Sequence, residues 1–369
     1  MKIAMVLRES FFEIKGGAEL QALLIGKKLS DEGHEVHYVY EDDREHDTYQ
    51  KEGIIYHTLK PRPKKLSLTL LNYNSFKSVL DRIKPDIVYQ RVRTAYTGMA
   101  AKYCKDHGPK FVYALSSDRD TNVRYNGKDS KDWILNYLNW KISGYGIKNA
   151  DRLVAQTERQ RYMMKQNFGL NSLVIPNSQV VPDPPFEKES PPIIAWIANF
   201  KDWKRPELFI KLAKASEVTG AKFVMAGRPN KSSPNYQRRL EEQVEETPRL
   251  NYLGELSFEE TNRLLSKASV FVNTSLPREG FPNTYIQAWM REVPIVSMSF
   301  DLDGILDKEK LGMCSHQFET MVEDVKHLIK DAKLRQAMGK RGRRFAKDNF
   351  DINKNIQKYE DLFEEMILG

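Results

Sequence analysis

Short apolar runs alternate with longer stretches of helical period along most of the chain. Residues 3–7, Ile-Ala-Met-Val-Leu, predict a buried strand, after which Leu20, Leu23, Leu24 and Leu29 recur at helical spacing up to a stop at Gly33. Residues 36–40, 54–56, 86–89, 111–115, 151–155 and 173–177 read as further strands, with helices over 76–83, 100–105, 133–148 and 157–168 between them. This alternation calls for a parallel sheet covered by helices on both faces. The pattern stops at residues 181–192, where prolines remove backbone donors and fix φ, so an interdomain linker is expected there. It resumes with strands over 193–197, 223–225, 252–253 and 270–273, a helix over 206–218, and two closing helices over 332–348 and 352–367. The expected fold is α/β, with two doubly wound domains, 1–183 and 184–351, facing a central cleft. The last helix, within 352–369, is expected to pack back on the first domain.

Composition agrees with two packed domains and narrows the function. A chain of 369 residues with 40% hydrophobic and 29% charged residues can fill two cores and keep a polar surface. No apolar run has the length of a bilayer span, and the first strand is cut short by Arg8 and Glu9, unlike a signal peptide. Cys104 and Cys314 lie far apart without ligand-like spacing, so neither a disulfide framework nor a zinc site is expected, and a reducing cytoplasm is the simplest location. The net charge of +8 admits nucleic acid, an anionic membrane surface or phosphorylated ligands. Basic residues gather at Lys60-Pro61-Arg62-Pro63-Lys64-Lys65 and at Lys340-Arg341-Gly342-Arg343-Arg344, which read either as solvated faces or as contacts to anionic lipid at the inner face of a membrane. No basic helix with interleaved aromatics is present, so nucleic acid is not an expected partner.

Candidate chemistry centres on Pro277-Arg278-Glu279-Gly280-Phe281-Pro282-Asn283-Thr284, which follows the strand over 270–273 and leads into a helix over 285–291. The first N–H groups of a helix have no intrahelical acceptor and carry the positive end of the peptide dipoles, so an anion fits there. Gly280 lets the backbone approach a ligand, Asn283 and Thr284 suit a helix start, and Pro282 only shapes the loop. Glu279 could accept hydrogen bonds from sugar hydroxyls but would repel phosphate, which implies adjoining polyol and anion subsites. Gln287, eight positions on, falls on the second helical turn and could face the same ligand. The same residues also fit an ordinary Pro-Gly turn before a capped helix, and context must choose.

Three other loops lie at the carboxyl ends of expected strands, where α/β sheets place ligands. Gly16-Gly17 precedes the first helix; Ser116-Ser117-Asp118-Arg119-Asp120 follows the strand over 111–115; Asn199 to Pro206, with Lys204 and Arg205, follows the strand over 193–197. Each also reads as plain structure: a βα turn, a polar capping loop, and surface cations.

Taken in order, Gly16-Gly17-Ala18-Glu19, Asp151-Arg152-Leu153-Val154-Ala155-Gln156-Thr157, Val174-Ile175-Pro176-Asn177, Lys204-Arg205-Pro206-Glu207 and Glu279-Gly280-Phe281-Pro282-Asn283 resemble the retaining, nucleotide-sugar-dependent glycosyltransferases of family 4, across essentially the whole chain. The resemblance implies two Rossmann-like domains in the GT-B arrangement, an acceptor-binding first domain and a donor-binding second. The implied donor is a UDP- or GDP-sugar acting as co-substrate, with no cofactor and no metal. The implied acceptor is a sugar or a lipid-linked molecule, with peripheral membrane contact and a role in surface polysaccharide or glycoconjugate synthesis. Lys204 would then neutralise the diphosphate, the main chain from Gly280 through Phe281 and Asn283 to Thr284 would bind its phosphates, and Glu279 would contact the transferred sugar. Gly227 and Gly254-Glu255-Leu256 would line the base, Gly17 would approach the diphosphate, and Ser117 and Asp118 would serve the acceptor, Asp118 with a part in catalysis. The chain departs from the family pattern at Gln287, where an acidic residue usually holds the ribose, at Asn199, where an arginine is common and whose role Arg205 would partly fill, and at Ser117, where a histidine is frequent. These departures leave a second reading, a scaffold that binds a nucleotide sugar or a partner protein without transfer.

Overall fold

The computed structural model describes the chain except for residues 10–15, 43–47, 61–71, 126–132, 216, 230–233, 277–280 and 302. It divides into two units, Met1–Ser178 with Ile352–Gly369, and Gln179–Asp351.

The first unit begins β1 (Lys2–Val6), α1 (Gly17–Asp31), β2 (Glu35–Glu41), β3 (Thr48–Lys51), β4 (Ile54–Leu59), α2 (Tyr73–Ile83) and β5 (Ile87–Arg91). It continues α3 (Ala95–His107), β6 (Lys110–Ala114), α4 (Trp133–Lys148), β7 (Arg152–Ala155), α5 (Glu158–Phe168) and β8 (Leu173–Val174). Among the described residues these strands form one sheet in the order β3-β4-β2-β1-β5-β6-β7-β8, parallel except where β3 pairs antiparallel with β4. Strands such as Ile3-Ala4-Met5-Val6 are buried on both faces, which is why they read as continuous apolar runs rather than alternating ones. One face packs on α2 and α3 through Phe76, Leu80, Tyr96 and Met99, and the other is closed by α1 and by the final helix α13 (Ile352–Leu368), which contributes Ile356, Tyr359 and Phe363.

The second unit runs β9 (Ile193–Ile197), α6 (Pro206–Lys214), β10 (Lys222–Ala226), α7 (Pro234–Glu245), β11 (Leu250–Tyr252), α8 (Phe258–Lys267) and β12 (Ala268–Asn273). After these come α9 (Asn283–Met290), β13 (Ile295–Ser297), α10 (Ile305–Lys308), β14 (Gly312–Cys314), α11 (Phe318–Lys330) and α12 (Ala332–Asn349). Its sheet, in the order β11-β10-β9-β12-β13-β14, is parallel in every described pairing. Residues 181–192, expected as a linker, carry no helix or strand and belong by their contacts to this unit. α6 stops at Lys214, four residues short of the expected end, with Ala215 turning to extended backbone.

The helix α12 packs on α9 through small residues. A Cβ on Gly339 would lie 2.2 Å from the Glu292 carbonyl oxygen, and one on Gly342 would lie 2.7 Å from the Trp289 ring. The basic run at 340–344 is therefore split by the helix: Lys340, Arg341 and Arg344 are exposed, whereas Arg343 turns in to the carbonyls of Met290 and Pro182. Residues 61–65 of the other basic run lie outside the described residues.

Candidate active site

In a parallel α/β sheet the loops leaving the carboxyl ends of the strands form the ligand-binding edge, and in the second unit these loops are laced together by main-chain hydrogen bonds. Ala198 N–H donates to Ala226 at 3.1 Å, Phe200 to Arg228 at 2.9 Å, and Gly227 to Gly254 at 2.8 Å. A Cβ on Gly227 would stand 1.7 Å from the Ala198 carbonyl oxygen, so the exits of β9 and β10 meet backbone to backbone and only glycine fits. Asn199 is half-buried beside this crossing, and Leu256 packs partly buried against the core.

The loop bearing Lys204 is built on the same edge. Residues Asp202–Lys204 make one 3-10 turn, and Arg205 adopts left-handed backbone at φ 50°, after which Pro206 sets the first turn of α6. The loop is fastened to the exit of β12: Thr274 Oγ1 donates to the Lys204 carbonyl at 2.6 Å, and Leu276 N–H donates to the Trp203 carbonyl at 2.8 Å. Thr274, fully buried, in turn accepts the Trp196 indole N–H at 2.9 Å. Arg205 Nε lies 3.8 Å from a Glu207 carboxylate whose other oxygen accepts the Tyr236 hydroxyl, so Arg205 is oriented by its own helix.

Beyond Leu276 the chain passes through residues 277–280, among them Glu279 and Gly280, which lie outside the described residues. It emerges at Phe281, whose ring is buried edge-on to Phe350 at 4.8 Å, so only the main chain of Phe281 is placed to serve a ligand. Pro282 is the N-cap of α9 and no side chain caps the helix, which puts Asn283 and Thr284 in its first turn with their N–H groups at the positive end. The opposite end of α9 meets cations: Arg291 Nη1 donates to the Gln287 carbonyl at 3.2 Å, Lys188 Nζ to the Arg291 carbonyl at 2.7 Å, and Arg343 to the Met290 carbonyl. Burial pushes the Lys188 ammonium down to about 7. Tyr285 anchors the helix sideways, its hydroxyl accepting from Asn273 Nδ2 at 2.9 Å and donating to the Phe300 carbonyl at 3.0 Å. Gln287, expected beside the ligand, is buried, and its amide nitrogen is committed to Asn262 Oδ1 at 2.9 Å.

In the first unit, Gly17 opens α1 and is exposed. Ser117 precedes a 3-10 turn over Asp118–Thr121, and the buried carboxylate there is Asp120. Its Oδ2 accepts the Ser116 N–H at 2.6 Å, the Ser116 hydroxyl at 2.9 Å and the Ser117 N–H at 3.2 Å. Burial nevertheless raises the Asp120 pKa, against the lowering effect of the Ser116 hydrogen bonds. Asp118, expected to serve the acceptor, is held by α5: Gln160 Nε2 donates to its Oδ1 at 3.2 Å and Arg159 Nε sits 3.3 Å from its Oδ2. Sequence reasoning missed Gln90 and Arg91 at the carboxyl end of β5. Arg91 is buried with Nη2 donating to Asn177 Oδ1 at 2.6 Å, while its Nε and Gln90 Oε1 lack a partner among the described residues. The available signal was a charged residue ending an otherwise apolar central strand.

Among the described residues no group of three His, Cys, Asp or Glu side chains could hold a metal ion.

Two doubly wound parallel sheets, one with a cation loop and a helix N-terminus on its carboxyl edge, define a protein of the GT-B class. Residues 15–178 match the domain family described as Glycosyltransferase Family 4 and residues 180–345 that described as Glycosyl transferases group 1. The chain belongs to this glycosyltransferase family. Among solved structures, that of Anabaena HepE in complex with UDP and glucose superimposes with a TM-score of 0.76 at 15% identity, covering 99% of this chain and 100% of that one. A glycosyltransferase from Rickettsia africae gives 0.73 at 17% identity, covering 99% and 98%. The trehalose synthase of Thermococcus litoralis is 25% identical over 182 residues, 46% of this chain and 43% of its own length. The chain thus spans less than half the length of that curated relative.

Proposed function

We propose that this chain transfers a sugar from a nucleotide-diphosphate donor of the uridine type to an acceptor hydroxyl, with retention of configuration, in the assembly of a surface polysaccharide or glycoconjugate. The observation that carries the reading is the fastening of the Lys204 loop to residues 274–276, the segment that runs on toward the N-terminus of α9. A lysine on a loop whose main chain is fastened, and a helix start on the same sheet edge, suit a diphosphate, whose charge grows as the glycosidic bond breaks. HepE has been solved with UDP and with UDP-glucose, which supports a uridine donor. Trehalose-6-phosphate synthase, similar in fold at a TM-score of 0.71, is described as transferring with retention, which supports that stereochemistry.

In this reading the acceptor oxygen bonds to the anomeric carbon on the face from which the diphosphate departs, the electron pair of the broken bond leaves with the phosphate oxygen, and the acceptor's hydroxyl proton passes to that departing phosphate. Lys204 and the first amides of α9 meet that charge without reorganising. Glu279 holds the sugar, the exits of β10 and β11 with Gly227 and Leu256 hold the base, and Ser117 and Asp118 serve the acceptor. Arg205 and Asn199 flank the lysine. The test is thermal stabilisation by UDP, GDP and their sugar conjugates, followed by turnover of the stabilising donor in Lys204→Ala. Transfer should fall about 10²–10³-fold with the melting temperature unchanged, and unimpaired turnover would remove Lys204 from the mechanism.

A further inference from the structure

Gln90 and Arg91 end β5, a central strand of the first sheet, at the edge where parallel sheets take ligands. Arg91 is 2% exposed, and its guanidinium meets neutral groups: Nη1 donates to the Tyr89 hydroxyl at 3.3 Å and Nη2 to Asn177 Oδ1 at 2.6 Å, while Nε has no partner among the described residues. Asp120, the acid whose field reaches it, is engaged elsewhere, its Oδ2 accepting from Ser116 and Ser117. A guanidinium taken out of water without a carboxylate at ion-pair distance is destabilising until an anion joins it. Gln90 is fully buried; its amide nitrogen donates to the Arg91 carbonyl at 2.8 Å and to the Val92 carbonyl at 2.7 Å, and its Oε1 is left with no donor. Those two bonds brace a strained turn, for Val92 has φ 71°, in the left-handed region that a β-branched residue rarely enters. Strain of this kind persists only where its surroundings enforce it, and it gathers at ligand sites.

We propose that this strand end is a subsite for an acidic sugar, whose carboxylate or phosphate group is taken by Arg91 and a hydroxyl by Gln90. The unfilled donor and the unfilled acceptor call for an anion and a hydroxyl on one molecule. A bare anion would leave Gln90 Oε1 as it is, and a neutral sugar would leave the charge. Entry requires the Val92 turn to yield, and backbone held in a strained region has less to lose by moving.

In the sheet Arg91 pairs with Ala114, two residues ahead of Ser116, so the subsite adjoins the loop that carries Ser117 and Asp118. An acid group seated at Arg91 would hold the same molecule's free hydroxyl at that loop. Naming an acidic sugar as the acceptor rests on the proposed transfer reaction; the subsite itself does not.

The experiment is titration calorimetry of the full chain with methyl glucuronide, glucose 1-phosphate, methyl glucoside and inorganic phosphate, beside UDP thermal shift. One of the two acidic sugars should bind about tenfold more tightly than methyl glucoside and than phosphate, and which of them does so tells a carboxylate from a phosphate ester. Arg91→Lys keeps the charge and loses the planar fork, so it should weaken that binding about tenfold with the UDP shift of the parent. If the variant fails to fold, crystals of the parent soaked with the bound sugar decide instead: its acid group should lie within hydrogen-bond distance of Arg91 Nε. Binding of the acidic sugar by a chain that transfers nothing to it from UDP-glucose would support the subsite while its use as an acceptor site failed. Equal binding of methyl glucoside, phosphate held as tightly as the acidic sugars, parental affinity in folded Arg91→Lys, no binding at all, or an acid group seated elsewhere would overturn the proposal and leave Arg91 as a structural tie to Asn177.

Discussion

Thr274 Oγ1 donates a 2.6 Å hydrogen bond to the main-chain carbonyl of Lys204, from a position seventy residues further along the chain. The bond ties the end of a central strand to the loop whose cation the proposed reaction requires. Because Thr274 is buried and also accepts the Trp196 indole, its hydroxyl has no water to replace it.

Thr274→Val keeps the shape and removes the hydroxyl, leaving the Lys204 carbonyl and the Trp196 N–H without this partner. Stability should fall by about 1–3 kcal/mol, seen as a lower urea midpoint. Donor turnover should fall about tenfold through kcat with KM little changed, as for a positioning residue. Thr274→Ser, which restores the hydroxyl, should recover both. A valine variant with parental kcat would show that the lysine loop is placed by something else.

Glu279→Gln bears on the division between polyol and anion subsites. Replacing a carboxylate by an amide weakens hydrogen bonds to sugar hydroxyls and removes a charge that repels phosphate. Sugar-donor turnover should drop about 10²-fold, while affinity for free UDP, followed by calorimetry, should hold or improve. Equal loss of nucleotide affinity and turnover would place Glu279 at the nucleotide instead.

Gly227→Ala should force apart the exits of β9 and β10, since the new methyl would fall 1.7 Å from the Ala198 carbonyl oxygen. A backbone atom cannot swing aside as a side chain can, so a loss of about 3 kcal/mol or more is expected. Calorimetry should show a melting point lower by several degrees, and UDP should stabilise the variant less. Full retention of both would mean that these loops are slack.

His57 makes the first unit sensitive to acid. It is buried beside His37, with Nε2 2.8 Å from His37 Nδ1. Burial first, and the neighbouring His37 second, push its pKa down to about 4. The unfolded chain, with an ordinary histidine near 6.5, binds the proton more readily, so stability is full above about pH 6.5 and declines as pH falls toward 4. The loss should reach about 2–3 kcal/mol. His57→Gln should flatten the denaturation midpoint between those limits, and a parental slope in that variant would assign the effect to other groups.

The strands that the apolar runs revealed are the ones buried on both faces, where a continuous stretch such as Ile193-Ile194-Ala195-Trp196 has no other reading. β13 and β14 escaped notice because each is three residues long, too short for any period to register. The lysine loop was visible as a cation after a strand. Its anchorage was not, because Thr274 is separated from it by seventy residues and a lone threonine carries no pattern. Gln287 and Asp118 were read as ligand contacts from their positions and from the resemblance; that they also meet Asn262, Gln160 and Arg159 was not legible, because those partners come from other parts of the sequence. The apolar spacing of residues 133–148 marked a helix correctly but not its outward side. Glycine contacts let α3 take the small residues and leave Trp133 and Leu138 uncovered, which hydrophobicity by itself would have assigned to a core.

The placement of α13 has a consequence for how the molecule is made. Ile356, Tyr359 and Phe363 close one face of a sheet whose strands are all synthesised in the first half of the chain. Asn355 Nδ2 also secures Ser178 Oγ at 2.9 Å. During synthesis Gln179–Asp351 therefore acquires all of its own residues and can settle first, while the older sheet waits with Ile3, Tyr89 and Val112 wet on one side. A ribosome that stalls after residue 351 would release a finished rear half attached to an unsealed front one, a natural target for chaperones and proteases.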